Sequence, residues 1–270
     1  MKKILLTGGN GQLGRTLKEI IPKLLENKNF ELIAPDKNKF NLSNCEECKK
    51  YIEQLDPHYL INCAAFTNVE AAEDYELEAI KVNSKAPSIF AKTLNKNGGY
   101  LIHISTDYVF DGTQTKPYIP IDKKKPLSVY GKSKSYGEDL IIKNFSNENQ
   151  YTILRTSWLI SPYGENFVKK IINLLCTKNY SEPLKVIYDQ IGSTTSVNTL
   201  SETIYKIIYL KEKKFFIPNI LHWSDSGEVS WYEVALAIRE ILYELGYEKR
   251  LKEIIKISSD KYSLKAERPK

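Results

Sequence analysis

Ile4-Leu5-Leu6-Thr7-Gly8-Gly9-Asn10-Gly11-Gln12-Leu13-Gly14 decides the fold of this chain. The apolar run through Leu6 reads as a buried strand, and the glycines after it read as a tight turn. Apolar residues then recur at Leu17, Ile20, Ile21, Leu24 and Leu25, the spacing of an amphipathic helix. Strand, glycine turn and helix in this order let backbone approach a pyrophosphate and aim helix N–H groups at it. The glycines fall as Gly8-x-x-Gly11-x-x-Gly14, not as the GxGxxG of the commoner dinucleotide fingerprint. A βα turn that binds nothing has the same spacing, but a place directly after the first strand favours a nucleotide site. A second run, residues 30–34, ends near Asp36, about where a carboxylate meets an adenosine ribose.

The alternation continues downstream. Residues 59–65, 100–105 and 153–158 read as strands, and residues 71–82, 86–94 and 231–245 as helices. Such a rhythm implies an α/β fold: a doubly wound parallel sheet of Rossmann type whose strand C-termini carry the ligands. Polar groups fall at those ends, in residues 62–67, at Ser105-Thr106-Asp107 and at Thr156-Ser157. Residues 111–126 hold three prolines and a lysine run, long enough for a functional flap. The expected organisation is a dinucleotide-binding domain of residues 1–155 and 188–221, with a substrate lobe of residues 156–187 and 222–270. The site would lie in the cleft between them.

Composition narrows the class. A chain of 270 residues suffices for one large domain with a smaller lobe. No apolar stretch approaches a membrane span, and Met1-Lys-Lys-Ile-Leu-Leu6 runs straight into the glycine turn, unlike a signal peptide. A soluble cytoplasmic enzyme is expected, with no membrane partner. The net charge of +6 is concentrated in lysine runs at 123–125 and 211–214, which read as solvated loops. No basic stripe with interleaved aromatics argues for nucleic acid, whereas a basic balance favours a phosphate-bearing small molecule. Cys45, Cys48, Cys63 and Cys176 form neither a disulfide framework nor a zinc pattern, and His58, His103 and His222 stand at no ligand spacing. No metal is expected. His103, on an apolar strand, reads as a packed core histidine instead of a base, and no nucleophile elbow supports Ser/His/Asp chemistry.

Tyr130-Gly-Lys-Ser-Lys134 supplies the chemistry. A Tyr and a Lys at i and i+4 share one face of a helix and can enter one pocket. A free phenol, with a pKa of about 10, transfers protons poorly at neutral pH; an adjacent ammonium lowers that value. Most such pairs are solvated helix face, and it is the glycine turn and strand-end motifs that single this one out.

Taken together, Gly8-x-x-Gly11-x-x-Gly14, Asn62-Cys-Ala-Ala-Phe-Thr-Asn-Val69, Ser105-Thr-Asp-Tyr-Val-Phe-Asp-Gly112 and Tyr130-x-x-x-Lys134 resemble the extended short-chain dehydrogenase/reductases. Within them the chain most resembles the dTDP-4-dehydrorhamnose reductases, through Arg155-Thr-Ser-Trp158, Gly164-Glu-Asn-Phe167, Asp189-Gln-Ile-Gly-Ser-Thr-Thr195 and Ala266-Glu-Arg-Pro269. The likeness covers nearly the whole chain, in order. Thr194 stands where the family usually has Pro, and Asn41 where an acidic residue is common. The chain stops just after Pro269, where relatives continue for another helix, so a short protein or a fragment is expected.

The resemblance implies NADPH- or NADH-dependent reduction of the C4 ketone of a nucleotide-linked 4-keto-6-deoxyhexose. The expected case is dTDP-4-dehydrorhamnose to dTDP-L-rhamnose, for surface polysaccharide synthesis, by a monomer or homodimer. It implies a catalytic set of Thr106, Tyr130 and Lys134, with Lys134 also holding the nicotinamide ribose. It implies cofactor contacts from Gly8, Gly11, Gln12, Leu13, Asp36, Asn41, Leu42, Ala64, Ala65, Thr67, Tyr130 and Lys134. Substrate contacts would come from Thr67, Val69, Thr106, Asp107, Trp158, Asn166 and Arg268. A strand-end Trp158 is as often core, and a C-terminal Arg268 is as simply solvated. The related dehydratases place Asp-Glu after the Ser/Thr; here Tyr108 follows Asp107, which argues against water loss. A nucleotide-binding regulatory subunit resembling these reductases, like that of methionine adenosyltransferase, is the other alternative, and an epimerase the third.

Overall fold

The structure, a computed structural model, describes residues 1–26, 29–176, 182–247, 252–262 and 264–270. Parts of the expected lobe, at 177–181, 248–251 and 263, lie outside the described residues. The first half alternates: β1 (Lys2–Thr7), α1 (Gln12–Leu24), β2 (Phe30–Ile33), α2 (Cys45–Leu55) and β3 (Tyr59–Asn62). Three helical pieces follow, α3 (Val69–Asp74), α4 (Glu76–Ile80) and α5 (Ala86–Asn97), then β4 (Tyr100–Thr106), α6 (Val129–Asn144) and β5 (Tyr151–Thr156). After them come β6 (Leu159–Ile160), α7 (Phe167–Leu175), β7 (Leu184–Ile187), β8 (Ile191–Gly192) and β9 (Thr195–Ser196). The last elements are α8 (Val197–Glu212), β10 (Ile220–His222), β11 (Val229–Ser230), α9 (Trp231–Leu242) and β12 (Ile254–Ile257).

Six strands make one parallel sheet in the order β2-β1-β3-β4-β5-β10. Alternate side chains of each strand leave opposite faces. Ile4 and Leu6 therefore join α1 and α8 in one core, while Leu5 joins α2 and α5 in the other. With both faces covered, the strands read as continuous apolar runs, which is what made them legible. The order reverses direction between β1 and β3, and a crevice opens there at the strand C-termini. Gly8 stands at φ +70 in the turn out of β1, and a Cβ there would meet the Ala64 backbone at 2.7 Å. Only glycine lets this turn lie against the end of β3.

Some elements depart from expectation. The anticipated helices at 71–82 and 86–94 are α3, α4, a wide π turn at Lys81–Lys85 and α5, running on almost without pause. Pro87 explains the wide turn: it lacks an N–H, and its ring would press on the carbonyl four residues back. The strand expected over 59–65 ends at Asn62, where the Ala64 N–H turns to donate to Thr7 Oγ1 at 3.2 Å.

A third core gathers Ile171 and Leu175 of α7, Val186 of β7, Ala235, Ile238 and Leu242 of α9, and Ile254 of β12. A capping box between Ser230 and Glu233 starts α9. The stretch 188–221 is shared: α8 packs in the α1 core, while β8 pairs with β11. The expected boundary at 221/222 falls inside β10. None of residues 111–126 lines the cleft at the strand C-termini. Tyr118 stacks on Phe110 with centroids 4.3 Å apart, its carbonyl sits 3.0 Å from His222 Nδ1, and Arg155 Nη1 donates to the Pro120 carbonyl at 3.2 Å. Among the described residues, no helix is long and apolar enough to cross a membrane.

Candidate active site

A cleft of about 700 Å³ opens at the C-terminal ends of β1, β3, β4 and β5, walled on its far side by α7 and α9. Gly8, Gly11, Gln12, Leu13, Ala64 and Ala65 line one end; Thr67, Val69, Thr106, Asp107, Tyr130, Lys134, Trp158 and Asn166 line the rest. Gly11 caps α1 without a side chain, so its first-turn N–H groups have no side-chain acceptor from the cap. That is the electrostatics of an anion site. A second hollow of about 340 Å³ shares Gly8, Gly11, Ala64 and Ala65, and adds Asn41, Leu42 and Lys37. Asp36 lines neither: it is exposed and accepts from Asn10 Nδ2 at 3.1 Å. Arg268 is also outside the cleft, in a separate hollow with Asp111 and Gly112, and pairs with Glu70 at 2.9 Å.

Ser128 caps α6, its Oγ accepting from the Gly131 N–H at 3.2 Å, which sets Tyr130 and Lys134 one turn apart and facing inward. Burial pushes the Tyr130 phenol up, against the pull of a hydrogen bond with Thr106. Lys134 Nζ donates to the Ile104 carbonyl at 2.7 Å and meets His103 Nε2 at 3.2 Å. Burial pulls this ammonium down to about 8, against Glu138 and Cys63. The lysine expected to lower Tyr130 thus spends its contacts beneath the pocket, and burial dominates the phenol. Asp107 is pushed up to about 6 by burial, although Thr106 Oγ1 donates to it at 3.0 Å. Tyr108 is pushed up to about 12 by burial, with Arg268 pulling the other way.

Trp158 holds a left-handed backbone, φ 42, that a bulky residue seldom adopts. Its ring stacks on Trp231 with centroids 3.4 Å apart and planes 10° apart, and Phe167 tilts against the far ring at 4.2 Å. Asn166 caps α7 and donates through Nδ2 to Gln12 Oε1 at 3.1 Å, tying the start of α7 to the start of α1. Among the described residues, no group of three or more His, Cys, Asp or Glu could hold a metal ion.

The sequence-family model described as the RmlD substrate binding domain matches residues 1–270. The chain belongs to the RmlD family. Among curated relatives it is 36% identical to the spore coat polysaccharide biosynthesis protein SpsK of Bacillus subtilis, over 100% of this chain and 87% of that one. It is 35% identical to the dTDP-4-dehydrorhamnose reductase of Aggregatibacter actinomycetemcomitans, over 88% of this chain and 78% of that one. The dTDP-4-dehydrorhamnose reductase of Bacillus anthracis, solved in complex with NADP, superposes with a TM-score of 0.85 at 32% identity, covering 100% of this chain and 89% of that one.

Several residues of this RmlD-family cleft escaped sequence reasoning, notably Cys63, Tyr108, Phe167, Trp231 and Val234. One signal for Trp231 was available: Ser230-x-x-Glu233 marks a helix start, which makes Trp231 its first residue. Nothing local in the sequence shows that this helix end faces β5 across a cleft.

Proposed function

We propose that this chain reduces the C4 ketone of a nucleotide-linked 4-keto-6-deoxyhexose with NADPH or NADH, most specifically dTDP-4-dehydrorhamnose to dTDP-L-rhamnose. The observation that carries the reading is one cleft holding Thr106, Tyr130 and Lys134 beside the uncapped start of α1, in a chain of the RmlD family. The residues present fit a dinucleotide. Gly11 and the first turn of α1 suit a diphosphate, and the hollow beside Asn41 and Leu42 suits an adenine. With Asp36 engaged by Asn10 and Lys37 lining that hollow, a ribose 2′-phosphate and a 2′-hydroxyl are both admissible.

When bound, a reduced nicotinamide supplies the hydride. The chain's own part is proton delivery. Burial keeps the Tyr130 phenol protonated at neutral pH, so it holds its proton until an alkoxide develops at C4 and then gives it up. Thr106, whose hydroxyl donates to Asp107 in the free protein, would turn that hydrogen to the same oxygen, and the bond strengthens as charge grows there. Lys134 supplies positive charge below them. Trp158 offers an aromatic face to the sugar, and Asn166 a polar edge. Tyr108, where the dehydratases resembling this chain carry a carboxylate, leaves no second carboxyl beside Asp107 for water loss. This reading divides the chain into a nucleotide domain and a substrate lobe meeting at the cleft. It also makes the protein a cytoplasmic monomer or homodimer serving polysaccharide synthesis.

The test is incubation of the purified chain with dTDP-4-dehydrorhamnose and each reduced cofactor. Loss of nicotinamide absorbance should be matched by dTDP-L-rhamnose formed. Cofactor oxidation no faster than in the substrate-free control would refute the assignment.

A further inference from the structure

Thr7, Asn62 and His103 occupy one row across the sheet. Thr7 pairs with Asn62 between β1 and β3, and Asn62 with His103 between β3 and β4. Thr7 Oγ1 lies 2.6 Å from Asn62 Oδ1, the Asn62 amide 2.9 Å from His103 Nδ1, and His103 Nε2 3.2 Å from Lys134 Nζ. Exposure is 1% for Thr7 and Asn62, 0% for His103 and 2% for Lys134. Buried polar groups at these distances must be matched to one another, donor against acceptor.

The matching is restrictive. Burial first, and the Lys134 charge second, push His103 well below the usual histidine range, so its ring is neutral, with one N–H and one lone pair. A charged Lys134 only donates, which obliges Nε2 to accept. Nδ1 then carries the hydrogen and donates to the Asn62 amide oxygen, while the amide nitrogen donates to Thr7 Oγ1, which also accepts from the Ala64 N–H at 3.2 Å. A neutral Lys134 keeps two donors, one of them for the Ile104 carbonyl, and gains a lone pair, so it admits the reverse row. The Asn62 nitrogen donates to Nδ1, Nε2 carries the hydrogen and donates to the amine, and Thr7 donates to the amide oxygen. The two arrangements use the same atomic positions, because an amide oxygen and nitrogen are nearly interchangeable in shape. They differ by one proton, on Lys134.

We propose that His103 is a positioning residue for Lys134: the buried row Thr7–Asn62–His103 holds Nζ beneath the cleft in both charge states, by exchanging the ring tautomer and turning the Asn62 amide. The titratable groups facing Lys134 are Glu138 on its own helix, Cys63 just beyond β3 and His103 on β4. Burial outweighs the upward pull of Glu138 and Cys63, leaving Lys134 at about 8. The exchange therefore falls in the alkaline part of the working range. The inference rests on the proposed reaction only for the task it gives Lys134; the row itself is a property of the cofactor-free protein.

Nitrogen-15 NMR of the imidazoles in the cofactor-free full chain tests it directly. His103 is assigned by the signal lost in His103→Gln. The expected ring is neutral throughout, with its hydrogen on Nδ1 at about pH 6.5 and on Nε2 at about pH 9.5, a span that brackets the lowered lysine. In Lys134→Met the tautomer should no longer change with pH. A wild-type tautomer that is constant across this range, or a ring that becomes imidazolium within it, overturns the proposal. A second measurement follows catalysis. His103→Leu should raise the cofactor KM and move the alkaline limb of kcat/KM down by about one unit, because burial then acts on Lys134 without an acceptor. His103→Gln, which keeps a donor and an acceptor, should restore part of both; wild-type profiles in both variants would again overturn it. Absent turnover in the wild-type protein would refute the reaction instead, and the tautomer result would still decide the row.

Discussion

Tyr130 and Asp107 show how burial, more than neighbouring charge, sets the chemistry of single residues in this cleft. The i, i+4 spacing of Tyr130 and Lys134 was legible in the sequence, because helix geometry alone puts both on one face. Their electrostatics were not, since the ammonium's real partners, Ile104 and His103, come from a strand some thirty residues earlier. On the proposed reaction, replacing Tyr130 with Phe removes the proton donor and little else. Turnover is expected to fall at least roughly hundredfold with cofactor Kd nearly unchanged; near-normal turnover would take Tyr130 out of the mechanism. Asp107 carries a raised carboxyl, about 6 against an ordinary 3.8. Between those values the folded protein binds a proton that the unfolded chain does not, so Asp107 costs stability progressively as pH rises through this window. Asp107→Asn should therefore stabilise the fold at neutral pH and much less at pH 4. The expected gain is on the order of 1 kcal/mol once the cleft's access to water is discounted. Urea midpoints at the two pH values measure it, and an equal effect at both would mean that the raised carboxyl is not the cause.

At the scale of elements, periodicity located five of the six sheet strands and several helices, because fully covered strands and two-sided helices leave strong patterns, but it missed the edge strand β10 and the helices α7 and α8. It was silent on β6, β8, β9 and β11, two residues each, for which no period exists to be read. It also could not see that Pro87 forces a π turn at 81–85 instead of a gap between helices. That turn matters to the site, since its Asn83 carbonyl is what α6 packs against. A Cβ added at Gly137 would stand 2.1 Å from this carbonyl oxygen, with backbone on both sides and no flexible side chain to give way. Gly137→Ala is expected to lose roughly 1–3 kcal/mol by overpacking. It should also displace the helix that carries Tyr130 and Lys134, so turnover should fall with stability. An unchanged denaturation midpoint would show that α6 is free to slide, and that its register is set elsewhere.

For the whole molecule, the two walls of the cleft belong to different packing units. Tyr130, Lys134 and the α1 turn sit on the two cores of the sheet, whereas Trp231 and Phe167 sit on the core of α7 and α9. The sheet side is braced independently: Glu138, fully buried, takes Arg155 Nη2 at 2.7 Å and the Ser105 hydroxyl at 2.6 Å, joining α6 to β5 and β4. Across the cleft, the joint is aromatic. Trp158 leaves β5 with a strained backbone and lays its ring flat on Trp231, the first residue of α9. Stacked rings of this kind contribute about 0.5–1.5 kcal/mol beyond the area they bury, enough to fix the angle of a strained side chain. Gly192 also packs on the Trp158 indole, where a Cβ would stand 2.8 Å from Cε2, so loss of the stack should be felt by a group bound against the rest of that ring and not by groups bound at α1. Trp231→Leu is expected to raise the KM for the keto sugar nucleotide roughly two- to tenfold, the range set by that energy. The cofactor KM and the Tyr130-dependent step should stay near wild type. Steady-state kinetics with each substrate varied in turn separate the two constants. If both KM values rose together, the two halves of the cleft would be mechanically one unit, and Trp231 would be holding the cleft open and not orienting the sugar.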